Sequence, residues 1–101
     1  MVIPEFVKPL LWEYDLADQA GEAAWEQLVI ERVMSRGGWA AMRWLWDRFG
    51  PEQLGAFLCR RGHHALPPRE LCFWSLLCGI ERELRGEWVR VARERERAWR
   101  G

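Results

Sequence analysis

The segment WAAMRWLWDRFG, residues 39–50, decides how this chain is read. It places Trp39, Trp44 and Trp46 within eight positions. At about 100° per residue, Trp39, Met42, Leu45, Trp46 and Phe49 fall in one arc of about 120°, the width of an ordinary core stripe. Trp44 falls on the other side, beside Ala40, Ala41 and Arg48. The segment therefore reads as an amphipathic helix, with two indoles expected in a core and Trp44 expected either under the arm LLWEYD (10–15) or the final helix, as a second core contact, or at a partner's surface.

The flanks continue the helical reading. Gly37-Gly38 ends a preceding helix that Asp18 is placed to cap, running to about Arg36. Trp25, Val29, Ile30, Val33 and Met34 share its apolar face, and Glu26 intrudes there, so an arginine partner is expected for it. Downstream, Gly50-Pro51 closes one helix and opens the next, with proline at the first helical position. Leu54, Phe57, Leu58 and the stem of Arg61 line one side of that third helix; Glu52, Ala56 and Arg60 line the other. Gly62 is expected to close it, and HHALPP, residues 63–68, to form a loop. Pro68 opens a fourth helix, RELCFWSLLCG (69–79), apolar almost all round, with Phe73, Trp74 and Leu77 expected inside. From Glu81 onward charges alternate, and Leu84, Trp88, Val91, Ala92 and Trp99 form a narrow stripe. Glu87 with Arg90, and Arg90 with Glu94, have supportive helical spacing.

Pro4 and Pro9 make the opening stretch an extended or irregular arm. No strand with turn chemistry and no internal repeat occurs. A chain of 101 residues is one domain's worth. The expected fold is all-α: a compact single-domain bundle of four to five short helices, with an arm over 1–17, a helical core over 18–80 and a charged helix over 81–101.

Lys plus Arg and Asp plus Glu stand at 15 each, so no strong field for nucleic acid is expected overall. The second half is mildly basic, with ten basic and seven acidic side chains in residues 51–101. Three cysteines without a signal peptide point to a reducing, cytoplasmic setting. The longest apolar run is too short to span a bilayer, so no membrane role is expected.

Cys59, His63, His64, Cys72 and Cys78 invite a metal reading, but the spacing opposes it. Cys72 and Cys78 point about 120° apart on one helix, and no Cys-x-x-Cys pair occurs. Cys59 and His63 lack an orienting third group. Paired carboxylates, phosphate loops and serine triads are missing too. Neither metal nor cofactor is expected, and the chain reads as a binding protein rather than an enzyme. Trp12, Tyr14, Trp44 and Arg48 are the candidate partner contacts, since Trp and Arg are enriched at interface hot spots. The alternative is a DNA-binding transcriptional regulator that uses the basic C-terminal half: the third helix or the arginine-rich tail would carry the contact, with Arg60, Arg61 and Arg69 near the joint of helices three and four as the candidates. The fourth helix is too apolar to serve as a recognition helix. A homodimer is also compatible.

Four pieces taken in order, KPLLWEYD (8–15), VIERVMSRGGW (29–39), MRWLWDRFGPEQLGAFL (42–58) and LPPRELCFWSLLCGI (66–80), resemble a family of small bacterial all-helical proteins. Members are often encoded beside nucleotidyltransferase-like toxins of the abortive-infection type. The resemblance implies a helical fold and an antitoxin-like role, with such a toxin as the protein partner. It assigns no roles to individual residues, and the stretch from 81 onward lies outside it.

Overall fold

The structure, a computed structural model, describes residues 3–11 and 22–100. The fold is all-α, and no strand occurs among the described residues. A 3-10 turn at Lys8–Leu11 is followed by α1 (Glu22–Arg36), α2 (Trp39–Phe57), a π turn (Leu58–Gly62), α3 (His63–Ala65), α4 (Pro68–Leu77) and α5 (Arg82–Arg100). The chain divides into two compact units, Met1–Arg48 and Phe49–Gly101. Asp18, Trp12 and Tyr14 lie outside the described residues.

In the first unit α1 buries the face its spacing predicts: Trp25, Val29, Ile30, Val33 and Met34. Glu26 is half-buried, and no arginine pairs with it among the described residues. The opening arm is less extended than expected. The Pro4 carbonyl accepts hydrogen bonds from the Val7 and Lys8 amides at 3.0 and 3.3 Å. The 3-10 turn that follows packs on α1, with Val7 and Leu11 buried.

The joint between α1 and α2 corrects the expected stripe of residues 39–50. The Gly37 amide donates to the Val33 carbonyl at 2.8 Å, closing the last turn of α1. A Cβ on Gly37 would lie only 3.2 Å from the Ala41 Cβ. Two small side chains thus let α2 begin close against the end of α1. The fully covered positions of α2 in this unit are Ala41 and Leu45, while Trp39 is 73% exposed and Met42, Trp44 and Trp46 are half-buried. Periodicity identifies which residues share a face. The two-glycine connection turns the covered arc toward Ala41, keeping Leu45 and Phe49 of the expected stripe inside and leaving Trp39 out. Among the described residues Trp39 is thus the most exposed indole, and Trp44 is half-buried.

The second unit begins near a break in α2. Gly50 has φ 80° and ψ 167°, outside helical geometry and on the side of φ that favours glycine. Pro51 then starts a fresh helical segment, as the Gly-Pro pair predicts. Leu54, Phe57 and Leu58 are buried; Glu52, Ala56 and Arg60 are exposed. Gly62 does not close this helix. The chain passes through the π turn into α3, and His63–Ala65, expected as loop, is helical. Gly62 is buried, and a Cβ there would meet Leu58 Cδ2 at 2.7 Å. Glycine serves here for close approach rather than termination. The helical run stops only at Leu66, which is extended (φ −87°, ψ 145°) ahead of the two prolines.

Pro68 opens α4 as expected, and Gly79 ends it at φ 73°. There the Ile80 amide reaches back to the Ser75 carbonyl at 2.9 Å, the closing bond of a left-handed glycine cap. The reversal over 78–81 sets α5 against α4. On α5, Trp88, Val89 and Ala92 are buried, whereas Leu84 and Val91 of the expected stripe are exposed. The Trp99 side chain lies outside the described set.

Candidate functional site

α4 is apolar on both sides, but only one side is covered. Leu71, Trp74 and Ser75 are buried. Cys72, Phe73, Leu76 and Leu77 form the other half and are exposed, at 42% for Phe73, 62% for Leu76 and 44% for Leu77. Phe73 and Leu77 were expected inside. α5, which packs most extensively on this helix, hides one stripe, and the opposite side is left in water. Several large apolar side chains exposed side by side on one short helix are unusual at a free surface.

Beside this face runs a row of cations. Arg82, Gly86, Arg90, Arg93 and Arg97 follow one another at four, four, three and four residues along α5, a helical row. Arg90 is held by Glu87 at 2.6 Å and Glu94 at 2.7 Å. Its guanidinium lowers the Glu87 carboxyl, first through that hydrogen bond and then through charge. Arg82, Arg93 and Arg97 show no ion pair among the described residues. Together with Cys72 of α4 and Val89 of α5, the row lines a groove of about 570 Å³. A neighbouring hollow of about 680 Å³ is shared by Arg69, Cys72 and Phe73 of α4 with Arg93 of α5. Gly86 sits in the middle of the row, and a Cβ added there would meet nothing within 4 Å. Glycine inside a helix costs about 0.5–1 kcal/mol relative to alanine, and no contact among the described residues requires it.

At the far end of α5, Arg95 Nη2 donates to the Leu66 carbonyl at 3.1 Å, capping the end of α3. The His63 ring stacks on Trp88, with centroids 5.0 Å apart and planes within 11°, and touches His64 at 3.8 Å. Burial, then the nearby His64 and Arg95 charges, hold His63 below its ordinary value of 6.5, against a hydrogen bond to the Cys59 backbone. The folded unit therefore favours the neutral ring. That contribution is present above the ordinary value and is lost as pH falls through and below it. The urea midpoint should accordingly fall between about pH 7.5 and about pH 5, and His63→Gln should remove part of that fall. Equal slopes in the two proteins would refute the assignment to His63.

The residues singled out from sequence are scattered. Trp44 is half-buried and Arg48 exposed, and both are engaged by neighbours. Arg60 and Arg61 are exposed on the π turn, and Arg69 is exposed on the first turn of α4. Only Arg69 belongs to the surface described above. Cys59 and Cys72 are exposed, and Cys78 is half-buried, its thiol pushed up to about 11 by burial. No cluster of three or more metal-ligating side chains forms among the described residues. No described helix is long and apolar enough to cross a membrane.

The chain matches no family model, no curated protein and no solved structure. The site thus rests on its own geometry. Sequence reasoning missed the exposed half of α4, because an all-round apolar helix looks like a central one. The arginines are legible in the sequence as a charged tail, but the groove they line with α4 is not.

Proposed function

We propose that the protein is a non-catalytic protein-binding module, with the exposed half of α4 as its docking face. The observation that carries this reading is the contiguous exposure of Cys72, Phe73, Leu76 and Leu77. Burying such side chains against a partner gains about 25 cal/mol for each Å² of apolar surface removed from water. The resemblance of residues 8–80 makes a nucleotidyltransferase-like toxin the partner, and the role antitoxin-like. Leu76→Asp places a charge at the centre of the face without touching the buried half of α4. Capture of such a toxin co-expressed with the variant should fall by about tenfold or more, with helicity unchanged. Undiminished capture would sink the docking face.

A second reading is nucleic-acid binding, favoured by Arg82, Arg93 and Arg97 of α5, which show no ion pair among the described residues. It places the contacts on the arginine-rich tail, one of the two places expected from sequence, rather than on Arg60, Arg61 and Arg69. Its mark would be affinity for duplex DNA that falls steeply with salt. The exposed apolar half of α4 has no role in that reading, which places it second.

A further inference from the structure

We propose that the groove between α4 and α5 receives an acidic amphipathic helix of the protein partner, a step that rests on the protein-binding reading above. The groove has two chemically distinct walls. Cys72 lines it on α4, continued by Phe73 in the adjoining hollow, where Glu70 and Glu96 also lie; on α5 stand Arg82, Arg93 and Arg97, with Glu94 held by Arg90. The helices run antiparallel: Arg69 shares a hollow with Glu96, and Cys72 with Arg93. A pair of antiparallel helices offers a third helix a natural seat.

The arginine row sets the length and pattern of the occupant. Fifteen residues separate Arg82 from Arg97, a rise of about 23 Å, so a helix of about sixteen residues spans it. Its acids would recur every three or four residues on the side facing α5. Its apolar stripe would turn toward Phe73 and Leu76. Guanidinium groups take carboxylates in two-pronged contacts, and Arg82, Arg93 and Arg97 have no carboxylate of their own among the described residues. Gly86 leaves the row open at its middle, where the incoming backbone approaches α5 most closely. A phosphate backbone would satisfy the arginines but leave Phe73, Leu76 and Leu77 in water. A second copy offers Glu83, Glu87, Glu94 and Glu96 of its own α5, but Glu87 and Glu94 are already taken by Arg90 and Glu96 is engaged by a neighbour.

The test uses the full chain and a fluorescein-labelled peptide of about sixteen residues, with leucine along one helical stripe and glutamate along its flanks. Saturable binding is expected. It should weaken by at least about tenfold in the triple variant Arg82→Glu, Arg93→Glu, Arg97→Glu, and in Leu76→Asp. A scrambled peptide of identical composition, lacking the stripe, should also bind at least about tenfold more weakly. Equal binding of the two peptides, or no effect of charge reversal, overturns the proposal. So does binding of a duplex oligonucleotide, but not the peptide, that charge reversal abolishes. A dimer seen by sedimentation and lost in the same triple variant assigns the groove to a second copy and overturns it as well. Toxin capture separates the two levels of the argument. Capture lost in Leu76→Asp but kept in the triple variant leaves the protein-binding reading standing and removes the acidic helix; capture kept in both removes the two together.

Discussion

Trp74→Ala is expected to destabilise the second unit by about 3–5 kcal/mol, the range for deleting a large ring from a packed interior. Trp74 is 1% exposed and lies on the covered half of α4 with Leu71 and Ser75. α5 packs against this helix, so the void left by the indole cannot fill with solvent without opening the pair. Phe73 is the internal control. Its ring meets Trp74 edge-on, with centroids 5.4 Å apart, but sits on the open side. Phe73→Ala should cost less than about 1 kcal/mol, as exposed substitutions do. Denaturant midpoints of both variants at fixed pH settle the matter. Near-equal losses would mean that the two halves of α4 are not differently covered.

The second large effect is expected at Gly37. Alanine there would bring a Cβ to 2.6 Å from the Val33 carbonyl oxygen and 3.0 Å from Val33 Cγ1. The first contact is with backbone, which cannot swing aside as a side-chain tip can. Overpacking of this kind costs about 1–3 kcal/mol. The loss of unfolded-chain freedom returns about 0.4–1 kcal/mol of it. A net loss of about 1–2 kcal/mol is therefore expected for Gly37→Ala. Gly38→Ala, where a Cβ would meet nothing within 4 Å, should be neutral or slightly stabilising. The comparison, read by thermal melting, isolates the close approach from the general effect of adding a methyl group.

Legibility from sequence followed the type of signal. Helices were legible where period and punctuation agreed: the buried face of α1, the Gly-Pro break in α2, the proline opening α4 and the glycine closing it. Punctuation misled once, at Gly62, where a small residue answers to the nearness of Phe57 and Leu58 instead of ending a helix. The larger misreadings concern which face is covered. Trp39 and Phe73 are apolar enough for any core, but burial depends on whether a second element lies opposite, and that is a property of the connections. The short joint at Gly37-Gly38 covered Ala41 instead of Trp39. The reversal at 78–81 covered Trp74 and left Phe73 open. The exposed apolar half of α4 arises from the same cause, so it is legible only once the neighbouring helix is in place.

The three thiols occupy three different environments, and this ranks them as nucleophiles. With its thiol raised to about 11, Cys78 exists as thiolate in only roughly one molecule in a thousand at pH 8. Alkylating reagents will pass it over. Cys59 and Cys72 are exposed, and of these only Cys72 lines the groove between α4 and α5. With Cys59 replaced by serine, a maleimide dye or spin label goes to the groove wall. The protein thus carries its own attachment point for a probe whose brightness or mobility reports whether the groove is filled.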